Sequence, residues 1–185
     1  MNRWEKLLGF KDDPEIAEMF SNPYDAKLVQ DICLGRLSED ALLQLMVEKW
    51  QINPSLLFLF RKRLLSKRRL NKAMVNLMAE LHREYQTAIL SNAGDQTRKL
   101  IEDVYHLDRH VQTIIISAEE GVIKPNHKFF QIAMERLNTK PEKTLLIDDY
   151  LVNILAAREF GIKAVQYINN HQVIQTVRDY LEVEG

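Results

Sequence analysis

The stretch Thr144-Leu145-Leu146-Ile147-Asp148-Asp149-Tyr150-Leu151-Val152-Asn153 decides how the rest of the chain is read. A short apolar run leads straight into two adjacent carboxylates. A buried strand that ends in acids can hold a divalent cation at the edge of a sheet. Side chains alternate in direction along a strand, so only one of the two acids need face a pocket. Magnesium takes oxygen ligands and keeps several waters, so one or two carboxylates suffice for it.

Working outward, short apolar segments alternate with amphipathic helical ones. Thr87–Leu90, Thr113–Ile116, Lys143–Ile147 and Lys163–Ile168 read as strands, the second rich in β-branched residues. Between them, Asp95 can cap a helix through Leu100, Ile101 and Val104. Pro125 and Asn126 open a helix carrying Phe129, Phe130, Ala133 and Leu137. Leu151–Phe160 is a helix ended by Gly161, and His171–Leu181 closes the chain. Such alternation predicts a parallel sheet with right-handed crossovers, whose ligands bind beyond the carboxyl ends of the strands. Ser91, Ser117 and Asp148 all fall at those ends.

The chain before residue 70 reads differently. Ser38 is a helix cap with Glu39 and Asp40 in the first turn, followed by an apolar stripe of Leu42, Leu45, Met46 and Trp50. Asn53-Pro54 starts another helix. Residues 12–34 read as helical with a break near Asn22-Pro23. The expected division is therefore a helical part over 1–69 and an α/β part over 70–185.

With 185 residues, 46% hydrophobic and 28% charged, the chain can bury a sizeable core. A net charge of −1 favours neither nucleic acid nor a membrane surface. One cysteine, Cys33, excludes an intramolecular disulfide and suits a reducing compartment. No apolar run approaches a transmembrane span and no signal peptide is evident, so the expected location is the cytoplasm.

Three groups can converge at the strand ends. Ser91 and Asn92 bring a hydroxyl, an amide and backbone N–H groups suited to phosphate oxygens. Lys124, in Gly121-Val-Ile-Lys124-Pro125-Asn126, is a compact positive charge suited to a phosphoryl group or to crowded carboxylates. Asp148 and Asp149 complete the set.

In this order and spacing, Ile-Leu-Ser91-Asn92, Lys124-Pro125-Asn126 and Leu-Leu-Ile-Asp148-Asp149 with Asn153, Ala156-Ala157 and Gly161 resemble the second, third and fourth motifs of the haloacid dehalogenase-like (HAD) hydrolases. The similarity covers about residues 70–170. Leu34-Gly-Arg-Leu-Ser38-Glu-Asp-Ala resembles a helix start of that family's small helical cap. The resemblance implies an α/β, HAD-like Rossmannoid parallel sheet flanked by helices, with an N-terminal helical cap. It further implies a Mg2+-dependent phosphatase of small phosphorylated metabolites. Ser91 and Asn92 would bind phosphate, and Lys124 would be the catalytic cation. Asp149 and Asp148 would form the metal corner, Asp149 holding Mg2+ and Asp148 orienting Lys124 or a metal-bound water, with Asn153 in support.

One departure stands out. The family's first motif, an apolar strand ending in Asp-x-Asp, supplies the nucleophile and the general acid-base. No such strand is legible here. Asp12-Asp13-Pro14 lacks both the apolar run and the spacing, and nothing after Ile168 supplies it. In relatives that strand lies between those ending at Ser91 and Asp148, so the sheet must close up or something must fill the gap. Three origins fit: a start further upstream, a degenerate non-catalytic relative, or a strand supplied by another chain or a rearranged sheet. The competing functional class is a non-catalytic binding or interaction protein that keeps the fold.

The remaining features have plainer readings. The basic run Arg61–Arg69 reads as a solvated helix face, with a cap surface that attracts anionic substrates as the alternative; no base-reading motif or aromatic platform accompanies it, which argues against nucleic acid. His106 and His110 mark a surface helix end rather than a zinc site. Cys33 is a small core hydrophobe. Leu56–Phe60 is expected in the core of the helical part, or as a homodimer interface should that part pack loosely.

Overall fold

In the computed structural model, which describes residues 14–22, 26–67 and 69–184, the helical expectation for the first part holds. Asp12, Asp13 and Pro23 lie outside the described residues. Helices α1 (Pro14–Ser21), α2 (Lys27–Cys33), α3 (Glu39–Glu48) and α4 (Pro54–Lys67) follow one another. Ser38 caps α3 as read, its hydroxyl accepting from the Ala41 N–H at 3.0 Å. Asn53 caps α4, its side-chain oxygen accepting from the Ser55 N–H at 2.9 Å. Leu42, Met46, Ile52 and Leu57 form a core of their own, with Leu28, Ile32, Leu56 and Phe60 against it. The run Leu56–Phe60 is thus split by the helical period. Residues 56, 57 and 60 share the inner face, while Phe58 and Leu59 are 66% and 53% exposed.

The second part alternates as expected. It contains α5 (Lys72–Leu81), β1 (Ala88–Ser91), α6 (Thr97–Lys99), β2 (Thr113–Ile116), α7 (Ser117–Glu120) and α8 (His127–Leu137). It continues with β3 (Leu145–Asp148), α9 (Leu151–Glu159), β4 (Lys163–Gln166) and α10 (Asn170–Glu184). β3 starts two residues later than read because Pro141–Lys143 forms a 3-10 turn. Gly161 ends α9 with φ +97°, a conformation that costs glycine little. Asp95 differs from its expected role. α6 is short and runs on as a π-helical turn, Leu100–Val104, and the Asp95 carboxylate instead accepts from the Glu39 N–H at 3.0 Å. It therefore caps α3, a helix 56 residues away in sequence. This hydrogen bond, chiefly, holds its carboxyl below the ordinary carboxylate value.

The strands are parallel, but among the described residues they form two sheets rather than one. β1 pairs with β2, Ala88 opposite Thr113 through Ser91 opposite Ile116, and β3 pairs with β4, Leu145 opposite Lys163 through Asp148 opposite Gln166. Helices cover both faces. Phe129, Phe130 and Ala133 of α8 and Ile154 and Ala157 of α9 are wholly buried and pack with Ile115, Leu90 and Leu146. On the other side Leu77 of α5 and Val173 and Val177 of α10 pack against Leu145, Ile147 and Val165. Among the described residues no helix is long and apolar enough to cross a membrane.

The helical part sits on the α/β part through close backbone approaches. At Gly35, with φ +69°, a Cβ would land on the Ala118 carbonyl oxygen. At Gly94, one would meet Glu39 and Ile32. These contacts hold α2 and α3 over the carboxyl ends of β1 and β2.

Candidate active site

The strand ends converge as the spacing predicted. Ser91 ends β1, Asn92 follows it and Asp148 ends β3, and all three line one cavity of about 1010 Å3. Lys124 bridges them. Its ammonium donates to Asp148 Oδ2 at 2.6 Å and to the Leu90 carbonyl at 2.9 Å, so one side chain ties the two sheets together. Lys124 and Asp148 are each only 8% exposed. A buried ion pair of this kind is held by geometry and further hydrogen bonds rather than by net Coulomb gain.

Those further bonds are present. Asp148 Oδ1 accepts from the Tyr150 N–H and from Asn153 Nδ2, both at 2.9 Å. Asn92 grips the Lys124 backbone from both sides. Its Nδ2 donates to the Lys124 carbonyl and its Oδ1 accepts from the Lys124 N–H, each at 2.8 Å. The Asn92 amide is thereby occupied in holding Lys124, leaving its backbone N–H as the group that can meet an anion. The Ser91 hydroxyl has no protein partner among the described residues and lines the cavity.

Both Asp148 oxygens are engaged, whereas Asp149 is exposed, lines the cavity, and accepts no hydrogen bond on its carboxylate among the described residues. The donor chemistry, one free carboxylate among hydroxyl and backbone groups, suits a hard cation that keeps most of its shell as water and phosphate. Among the described residues no three His, Cys, Asp or Glu side chains cluster, so any cation here would rest on few protein ligands. One further atom is conspicuous. Asn153 Oδ1 is buried without a hydrogen-bond partner and belongs to a residue that lines the same cavity.

Several cavity residues carried no signal in the sequence. Val29, Gln30 and Cys33 of α2 form part of its wall, as do Asn71, Met74 and Tyr167. Asn71 donates to the Tyr167 hydroxyl at 3.0 Å and to Asn170 Oδ1 at 2.7 Å. Partners nearly a hundred residues apart leave no local pattern to read. Cys33 is half-buried, and burial, then the Glu39 carboxylate, push its thiol up, so it remains neutral. Ser117, at the end of β2, turns its buried hydroxyl to the backbone of Ala93 instead of the cavity, accepting from the N–H at 2.9 Å.

A family model described as haloacid dehalogenase-like hydrolase matches residues 15–167. Among solved structures, a predicted HAD-like family hydrolase from Porphyromonas gingivalis superposes with a TM-score of 0.76 at 22% identity, over 97% of this chain and 87% of its own. A HAD family enzyme from Bacteroides thetaiotaomicron, in complex with magnesium and inorganic phosphate, gives 0.69 at 18% identity, over 88% of this chain and 82% of its own. Among curated proteins, glyceraldehyde 3-phosphate phosphatase from Pyrococcus furiosus is 33% identical over 86 residues, 45% of this chain and 35% of that protein. Bifunctional epoxide hydrolase 2 from Mus musculus is 25% identical over 123 residues, 64% of this chain. The chain spans only 22% of the length of the mouse relative.

Proposed function

The chain belongs to the haloacid dehalogenase-like hydrolase family, and we propose on that footing that it carries the phosphate- and metal-binding half of a Mg2+-dependent phosphomonoester phosphatase centre. The substrate class is a small phosphorylated metabolite, in keeping with the phosphatase relative from Pyrococcus furiosus. The Ser91 hydroxyl and the Asn92 backbone N–H donate to phosphate oxygens. Lys124 sets a fixed positive charge beside them. Asp148, Asn153 and the Asn92 amide position that lysine. Asp149 holds Mg2+, whose charge, when bound, offsets that of the phosphoryl oxygens. A cytoplasmic location accompanies this reading, and residues 1–69 act as the cap that carries specificity.

The observation that carries the proposal is the Lys124 clamp: a buried ammonium anchored by Asp148 and Leu90, on a backbone gripped by Asn92, in the lining of the cavity. The same geometry favours a second reading, a binding protein that keeps the fold. Asp148 and Asp149 are the only carboxylates lining the cavity among the described residues, and Asp148 is already engaged. On the first reading, these residues alone hold phosphate but do not hydrolyse an ester, for want of a nucleophile.

Two measurements on the 185-residue chain test this: p-nitrophenyl phosphate turnover with Mg2+, and orthophosphate binding with and without Mg2+. The expected result is Mg2+-dependent phosphate binding, weakened at least about tenfold by Asp149→Asn, without turnover. Robust turnover abolished by Asp149→Asn would overturn the inactive part. Absence of any Mg2+-dependent phosphate binding would overturn the site. Turnover restored by an upstream Asp-x-Asp strand selects the phosphatase, and continued inactivity selects the binding protein.

A further inference from the structure

Charge is unevenly placed along this chain. Residues 51–79 hold seven of its 25 Lys and Arg and none of its 26 Asp and Glu, so the remainder carries −8. The chain-wide value of −1 conceals this asymmetry. Most of the positive stretch belongs to α4 and the residues just after it. Arg61, on the flank of α4, reaches Asp40 of α3 at 3.9 Å, a largely exposed pair that solvent screens. Lys62 and Arg63 are exposed, as are Arg69 and Lys72 beyond the helix.

The same helix turns bulky apolar side chains outward. Phe58 and Leu59 are 66% and 53% exposed. Residues 62 and 63 lie one helical turn on from them, so two apolar and two cationic side chains share the outer face. The inner face is already used: Leu57 is buried in the core of the helical part, with Leu56 and Phe60 against it. Phe58 and Leu59 therefore add nothing to that core. Among the described residues no side chain of α4 lines the cavity, so this face is also separate from the candidate active site.

The chemistry of the face selects its occupant. A second copy meeting it across a two-fold axis would set like cations beside like. Nucleic acid would neutralise the cations but offer Phe58 and Leu59 no apolar phase, and one aromatic ring on this face is no stacking platform. An anionic bilayer offers both parts at the right depths, with negative headgroups at the surface and hydrocarbon just beneath. Long Lys and Arg side chains reach back to the headgroups while shorter apolar neighbours go deeper. Positive charge spread along a segment matches a plane of mobile headgroups better than a fixed set of carboxylates on a folded partner.

We propose that the outer face of α4 docks peripherally on anionic phospholipid membranes. Phe58 and Leu59 enter the boundary between headgroups and acyl chains, and Lys62 and Arg63 pair with the anionic headgroups. Arg69 and Lys72 add attraction at longer range. The docking concerns the outside of the helical part, not phosphate chemistry, so it stands or falls separately from the hydrolase reading.

The test is co-sedimentation of the 185-residue chain with vesicles of phosphatidylcholine containing about 30 mol% phosphatidylserine, and with phosphatidylcholine alone. Binding is expected to the first and not to the second, and to fall steeply when salt is raised to about 0.5 M. Lys62→Gln is expected to weaken it about fivefold. Phe58→Ser with Leu59→Ser is expected to weaken it about tenfold or more. All four side chains are exposed, so each variant should keep the parent's CD signal and melting temperature. Phe58→Trp keeps the bulk of the ring and should shift its added fluorescence to the blue on the anionic vesicles. Absence of binding to the anionic vesicles at low salt would overturn the proposal. So would equal binding to neutral vesicles, or binding indifferent to the Phe58 and Leu59 changes, which would be adsorption by charge alone. Poly-glutamate and a single-stranded oligonucleotide serve as competitors at matched charge. Tighter binding of either would overturn the membrane in favour of an acidic polypeptide or nucleic acid. Self-association that Phe58→Ser abolishes would overturn it in favour of a second copy.

Discussion

Replacing Lys124 with methionine removes the ammonium but keeps most of the buried side-chain volume. Lys124 and Asp148 are each 8% exposed and meet at 2.6 Å. At an effective dielectric constant of about 20, their attraction is about 6 kcal/mol, and the desolvation of two charges offsets most of it. The intact pair therefore contributes little net stability. Truncating one partner is different, because it leaves Asp148 Oδ2 and the Leu90 carbonyl without their Lys124 donor in a buried site. Such truncations cost roughly 3–5 kcal/mol. For a chain of this size that lowers the melting temperature by roughly 6–20 °C. The assay is urea unfolding by CD, alongside thermal melts, of Lys124→Met, Asp148→Asn and the double variant. The double variant removes both charges and is expected to be more stable than the sum of the single losses implies, by about 0.5–3 kcal/mol. A Lys124→Met chain within about 1 kcal/mol of the parent, or strictly additive losses, would refute the buried clamp.

Two further outcomes concern the junction between the helical and α/β parts, and a third the α/β part itself. Gly35→Ala should destabilise by about 1–3 kcal/mol in urea melts, since φ is +69° and its Cβ meets the Ala118 carbonyl oxygen. Asp95→Ala should cost about 1 kcal/mol at neutral pH through loss of the cap on α3. The Asp95 carboxyl titrates below its ordinary 3.8, so its contribution is complete above that pH and fades as pH falls through the folded-state value. Parent and Asp95→Ala stabilities should therefore converge in acid. Asn71→Ala should cost about 1–2 kcal/mol in the same melts, because Asn71 caps α5 and also reaches Tyr167 and Asn170 across the fold.

Local chemistry explains which features were legible in the chain itself. Ser38, Asn53, Asn126 and Gly161 act within a few residues of their own helix ends, so cap and stop signals sit beside the turns that they serve. The strand ends at Ser91 and Asp148 were legible because an apolar run stopping at polar residues needs no distant partner to be seen. Asp95 has the same cap chemistry but serves α3, and sequence proximity pointed to the wrong helix. The phosphate role read for Asn92 rested on residue type. Its two bonds to the Lys124 backbone depend on a loop 32 residues away.

Sequence alone determined the alternation of strands and helices, the parallel class of the sheet, and the grouping of Ser91, Lys124 and Asp148 at its carboxyl edge. Those follow from periodicity and from the order of motifs, which short-range sterics and burial impose on any chain of this pattern. Tertiary structure decided how the acidic pair divides its work: Asp148 is buried and saturated by Lys124, Tyr150 and Asn153, while Asp149 stays exposed. It also decided that, among the described residues, the four strands stand as two parallel pairs, since strand pairing depends on which backbone edges meet across the fold.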